Sequence, residues 1–270
     1  VPYEWVIDAL EETWDAIIRT VRTMDPARFT APTACEGWSI QDIVSHLIGF
    51  ELMLAGHLVP DVELDLPGYV KNPIGEINEK FVIERRTISG RDVLSEFEDV
   101  AASSIARLRA LPEAAWEEIT WSPEGDVPYV RFMETRVLDS WIHLQDIRDA
   151  LAEPQDDHGA GEEIVVNRFE AAMPYVVGRR AQAPDGTTVR LQLVGRLARV
   201  ISIRVDDGRA RAVESIAEVP TVEITTPVAL FWRRAAGRIT AEAFLRASAT
   251  DAAGSRELIR AIADGMVVMI

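Results

Sequence analysis

Arg136-Val-Leu-Asp-Ser-Trp-Ile-His-Leu-Gln-Asp-Ile-Arg-Asp-Ala-Leu151 is the stretch whose reading decides the fold. Val137, Leu138, Trp141, Leu144, Ile147, Ala150 and Leu151 recur at steps of three and four, the period of a helix with one apolar face. Asp139 and His143 are four apart and therefore neighbours on the helix surface, and Asp146 lies three beyond His143 on nearly the same side. A carboxylate and an imidazole so related hold one divalent metal if a third ligand arrives from another part of the chain.

Outward from this helix, residues 3–24 read as another, with Trp5, Val6, Ala9, Leu10, Thr13, Ile17 and Val21 on or near one face, ended by Asp25-Pro26. A loop holding Pro32, Cys35, Gly37 and Trp38 follows. Ser39 then opens a second helix, with Asp42 in its first turn, an apolar stripe from Ile43 to Leu58 and Pro60 as its end. Further helices are expected at about 75–88 and 91–110. Pro112 to Pro128 reads as irregular. The quoted helix begins near Pro128 or Tyr129. These elements predict an antiparallel four-helix bundle over residues 1–152.

Glu153-Pro-Gln-Asp-Asp-His-Gly-Ala-Gly161 has the composition of a linker. Beyond it the pattern changes. Glu162 to Arg180 is helical, whereas 187–194, 200–205, 210–214 and 221–225 are short runs rich in Val and Ile. Asp207-Gly208 between two of them is a hairpin signal. Short helices are expected at 227–236, 241–247 and 255–263. Residues 162–270 thus form a smaller α+β domain with an antiparallel or mixed sheet of about four or five strands, and the fold class is α+β.

Charge divides the chain in the same place. Residues 1–152 hold 13 Lys+Arg against 28 Asp+Glu, and residues 153–270 hold 15 Arg against 16 Asp+Glu. The net charge of −16 excludes a general nucleic-acid binder, which needs a basic face. No apolar run approaches the roughly 20 residues that span a bilayer. Glu4 and Asp8 near the start, with no basic residue before Leu10, are wrong for a signal peptide, so a cytoplasmic protein is expected. The single cysteine, Cys35, excludes an internal disulfide and a cysteine-rich zinc site, and reads as a small packing residue ahead of Trp38. Trp38 and Trp141 read as core. There is no G-x-S-x-G, Walker loop or G-x-G-x-x-G.

The third ligand has few sources. His158 lies in the acidic linker and reads as solvated. His57 shares a helix face with His46 but stands roughly 16 Å from it along the axis, at 1.5 Å per residue, so the two cannot hold one ion. His46 remains. It is either a core histidine bonded to a carboxylate such as Asp42, or the partner of Asp139 and His143 in a site with three protein ligands and open positions, the pattern of catalytic zinc. In the second case Asp146 orients His143 through its other ring nitrogen. Arg234 and Arg238 flank a predicted helix, and either belong to a solvated face or recognise carboxylates with their guanidinium forks.

Thr33-Ala-Cys-Glu-Gly-Trp-Ser-Ile-Gln-Asp-Ile-Val-Ser-His-Leu47 resembles the C-x-G-W-[ST]…H-L segment of the actinobacterial mycothiol-dependent maleylpyruvate isomerase family, part of the wider DinB-like metal-binding bundles. Asp139-Ser-Trp-Ile-His143 with the following Asp146-Ile-Arg-Asp-Ala-Leu151 resembles its second motif. Asp185-Gly186 before a strand and Ala235-Ala-Gly-Arg238 after a helix resemble its C-terminal domain, itself similar to sterol-carrier proteins. The resemblance spans essentially the whole chain. It implies a divalent metal, zinc in most members, held by His46, Asp139 and His143. It also implies mycothiol or a similar thiol as cosubstrate, attacking a small electrophilic substrate as a metal-bound thiolate. Arg238 or Arg234 would face that site. The family pattern has Glu where this chain has Asp139, one methylene shorter. The expectation is a thiol-using isomerase or transferase, and the alternatives are a non-catalytic small-molecule-binding protein with a relic metal site and a purely structural bundle. Substrate and oligomeric state are left open.

Overall fold

The helices of the N-terminal part take their limits from local chemistry. The computed structural model describes residues 3–63, 65, 67–153, 159–251 and 256–269; the linker residues 154–158, His158 among them, lie outside these. Helix α1 covers Glu4–Thr23 and buries Val6, Ile7, Leu10, Trp14 and Ile17. Helix α2, Ile40–Leu54, opens on a reciprocal capping box: Ser39 Oγ accepts from Asp42 N, and Asp42 Oδ2 accepts from Ser39 N at 2.9 Å. It ends earlier than the apolar stripe predicts. Gly56, at φ +88°, takes the left-handed conformation that closes a helix, and Leu58 beyond it is 91% exposed. His57 is therefore off the helix and exposed.

Helix α3, Pro73–Arg85, is capped by Asn72, and α4, Gly90–Arg109, by Ser89. A 3₁₀ turn at Glu113–Glu117 and a hairpin of β1, Ile119–Ser122, and β2, Gly125–Pro128, occupy the region expected to be irregular. Its strands are four residues each and leave Ile119 and Trp121 exposed, too short an alternation to register as a pattern. Helix α5, Tyr129–Leu151, is the quoted stretch with two turns added before it. Helices α1, α2, α4 and α5 share one core, and α3 covers α2. Backbone approach between α2 and α5 is looser than between α1 and α5 or between α2 and α4, which leaves side chains to fill that seam.

Gly49 lets α2 and α3 approach closely, because a Cβ there would fall 2.3 Å from Cγ of the buried Phe81. Gly49→Ala is expected to cost about 1–3 kcal/mol by forcing Phe81 aside, read as a lower urea midpoint. An unchanged midpoint would show that the seam yields freely.

The chain divides into two compact units, Val1–Ile164 and Val165–Ile270. The division falls within helix α6, Ala160–Tyr175, and not in the linker. The first turn of α6 belongs to the bundle: Gly161 lies where a Cβ would be 2.7 Å from the Trp141 ring, and Ile164 joins the bundle core.

In the second unit α6 runs into a π turn, Val176–Arg180. Strands β3 (Thr188–Val194), β4 (Arg199–Asp206), β5 (Arg209–Val213), β6 (Val222–Pro227) and β7 (Ala249–Asp251) form one sheet in the order β5-β4-β3-β6-β7. The β3–β6 pair is parallel and the others are antiparallel, so the sheet is mixed. Asp207 and Gly208, at φ +52° and +71°, make the tight turn that their dipeptide predicts. Helices α7 (Val228–Ala235), α8 (Ala241–Ala247) and α9 (Arg256–Gly265) complete the unit. The whole is α+β, with a helical N-terminal part. Among the described residues no helix is long and apolar enough to cross a membrane.

Candidate metal centre

His46 lies in the second turn of α2, and Asp139 and His143 lie mid-way along α5. The folded chain brings the three together. Asp139 stands between the imidazoles, with Oδ2 3.2 Å from His46 Nε2 and Oδ1 3.5 Å from His143 Nε2. One ligand atom from each residue can be chosen so that all lie within 4.8 Å of one another. Both histidines are buried, whereas the Asp139 side chain is 30% exposed and marks the open side.

These separations fit a metal. With bonds of about 2.0–2.2 Å, nitrogen and oxygen ligands on a tetrahedral ion stand roughly 3.3–3.6 Å apart. Two Nε2 atoms and one carboxylate form a three-donor set, with Asp139 its most exposed member. The same contacts set the charges without a metal. Burial raises the Asp139 pKa, but attraction to the rings of His143 and His46 outweighs it and holds the carboxyl well below its usual range. For His143, burial lowers the pKa, while Asp139 first and then Asp146 and Cys35 raise it, with a net shift well above the ordinary 6.5. Without a metal, His143 therefore favours its protonated form beside the Asp139 carboxylate.

Behind His143 the ring has a second set of partners. Its Nδ1 lies 3.2 Å from Oδ2 of the buried Asp146, which fixes the ring and turns Nε2 toward Asp139. Cys35 Sγ donates to the same Oδ2 at 3.4 Å and lies 3.8 Å from His143 Nδ1. Asp42, the carboxylate considered for His46, is instead engaged by Ser39 and Arg86. Among the described residues His46 Nδ1 is buried without a hydrogen-bond partner.

Trp38 closes one flank, with its ring centroid 5.2 Å from that of His46 and 6.2 Å from that of His143. Its Nε1 donates to the fully buried Glu79, which also accepts from Tyr69 Oη, each at 2.9 Å. Gly37, at φ +77°, packs where a Cβ would strike the Tyr69 ring, so the loop carrying Cys35 and Trp38 lies close against the segment that leads into α3. Trp38 is only partly buried and stands at the site; Cys35 packs on the core but also reaches His143. Their loop has no periodicity to show which way they point, and Glu79 reaches Trp38 from 41 residues away.

The two arginines sit in the second unit. Arg234 is buried and donates to the carbonyls of Ala263, Ile239 and Asp264, so it joins the end of α9 to the turn after α7. Arg238 Nη1 donates to the carbonyl of Ala236.

Comparison with known proteins agrees with this architecture. A crystal structure of the mycothiol-dependent maleylpyruvate isomerase is 17% identical over 95% of this chain and 96% of that one, with a TM-score of 0.61. A histidine-to-alanine mutant of the mycothiol-dependent maleylpyruvate isomerase aligns at 16% identity over the same shares, with a TM-score of 0.58. At such identities the likeness is one of fold. No curated protein matches the chain. Residues 10–148, just over half of the chain and including all of His46, Asp139, His143 and Asp146, match the family described as the mycothiol maleylpyruvate isomerase N-terminal domain, and the chain belongs to that family.

Proposed function

We propose that this protein is a thiol-dependent isomerase or transferase acting on a small electrophilic substrate, with a low-molecular-weight thiol of the mycothiol kind as cosubstrate. In this reading His46, Asp139 and His143 hold a divalent cation, zinc by its donor set. The observation that carries it is the convergence of two buried Nε2 atoms and a half-open carboxylate, in a chain of this family. A cation there supplies positive charge that favours a thiolate over a thiol at neutral pH. Asp146 holds the His143 tautomer that leaves Nε2 available. Asp139, with an oxygen toward each imidazole, sets the spacing between α2 and α5 at the site. Trp38, kept in place by Glu79, narrows the open side and excludes water from one flank.

The test uses the metal-stripped full chain, an electrophile with an activated double bond and several thiols, each with and without added zinc. The rate is expected to require both thiol and zinc. No rate above background under any combination would overturn the enzyme reading and favour a small-molecule-binding protein.

A further inference from the structure

We propose that Cys35, His143 and Asp146 form a second metal-binding set, back to back with the first through the two nitrogens of one imidazole, and that it takes a thiophilic d¹⁰ cation. The three donor atoms are Cys35 Sγ, His143 Nδ1 and Asp146 Oδ2. Their separations are 3.8 Å for sulfur to nitrogen, 3.4 Å for sulfur to oxygen and 3.2 Å for nitrogen to oxygen. On a tetrahedral ion with bonds of about 2.3 Å to sulfur and about 2.0–2.2 Å to nitrogen and oxygen, the corresponding edges are roughly 3.5–3.7 Å, 3.5–3.7 Å and 3.3–3.5 Å. Each observed edge lies within about 0.3 Å of that triangle, so the donors need only small adjustments.

The set is built, not incidental. Asp146 is 1% exposed and His143 4% exposed, so both ligands are rigid and poorly hydrated. Cys35 is half-buried. Its backbone is pinned: Cys35 N donates to Thr33 Oγ1 at 3.2 Å, Trp38 N donates to Cys35 O at 3.0 Å, and Thr33 N donates to Trp38 O at 3.0 Å. The thiolate is what separates the two sets. Nitrogen and oxygen suit many divalent ions, whereas sulfur selects soft ones such as Cd²⁺ and Zn²⁺. Binding displaces the thiol proton of Cys35 and the Nδ1 proton of His143, both released to solvent. His143 then bridges two ions as imidazolate, or serves one alone if the first set is empty.

The test titrates the metal-stripped full chain with Cd²⁺, following stoichiometry and the near-ultraviolet absorption of a cadmium thiolate. The parent is expected to take two equivalents, one of them with thiolate absorption. Cys35→Ser should take one equivalent and lose the absorption. His46→Ala should take one equivalent and keep it. Circular dichroism checks that each variant is folded, and Cys35→Ala, likewise expected to take one equivalent without thiolate absorption, replaces Cys35→Ser should that variant unfold. A parent that shows no thiolate absorption, or a Cys35→Ser variant indistinguishable from it, would overturn the second set. The first set fails separately, if His46→Ala matches the parent in equivalents bound.

Discussion

His143→Ala is expected to abolish stoichiometric metal uptake. The substitution removes the one imidazole whose Nε2 faces Asp139 and whose Nδ1 faces Asp146 and Cys35, so no pair of remaining donors keeps three ligands together. Loss of an outer partner alone, as in Asp146→Asn, should weaken zinc binding by roughly 10–100-fold, and the loss at His143 should exceed that. Elemental analysis after exhaustive dialysis reads the result, and equal zinc in variant and parent would sink the site assignment. The pH dependence has a definite sign. A cation must displace the proton that Asp139 and Asp146 hold on His143, whose pKa they raise well above 6.5. Zinc affinity should therefore climb with pH through neutrality and fall on acidification. Without metal the linkage runs the other way for this ring. Its ion pairing contributes stability that is fully present below the unfolded pKa, about 6.5, and is lost as pH rises through the raised folded value.

Arg136→Met is expected to destabilise the fold by about 3–5 kcal/mol, the cost of leaving a buried charge without its partner. Arg136 and Glu51 are 3% and 2% exposed and form an ion pair across the α2–α5 seam. The guanidinium also lies 5.7 Å from the Trp14 ring centroid and donates to Met133 Sδ, whereas Arg107 approaches Glu51 only to 3.7 Å. Urea unfolding measures the effect. Arg107, 3.7 Å from Glu51 and more exposed, is the carboxylate's second cation, so a loss below about 1 kcal/mol would show that it takes over the pairing and would overturn the role assigned to Arg136. The double variant Glu51→Leu with Arg136→Met should recover most of the loss, since an apolar pair of similar volume often replaces a buried ion pair at little cost. The pair sits five residues after His46 on one helix and three before Asp139 on the other. It therefore bears on the register in which His46 and Asp139 meet.

Most of the helical architecture was legible in the chain. Apolar periodicity located α1 and α5, Ser39 with Asp42 marked the start of α2, and Asp207-Gly208 marked the β4–β5 turn. His46, Asp139 and His143 were legible as donors because two lie on one helix face and elimination left one credible partner. Local signals failed where competing local geometry decided. A glycine at positive φ ended α2 before its apolar stripe did, the strands of 119–128 were too short to alternate visibly, and β7 has three residues. Trp38 and Cys35 read as packing residues and do pack on the core, but their loop shows composition and not direction, so their approach to His143 is not legible.

By itself, then, the sequence determined most of the helices, four of the five strands of the second unit and which side chains have the chemistry of ligands, since those depend on spacing of a few residues along the chain. Only the tertiary structure decided that His46 Nε2 meets an Asp139 oxygen at 3.2 Å across 93 residues, that Asp146 and Cys35 share the far nitrogen of His143, and that Glu51 pairs with Arg136 in the core. Those contacts come from how helices close on one another. The separation between their donor atoms is set by packing of the α2–α5 seam, which no local pattern encodes.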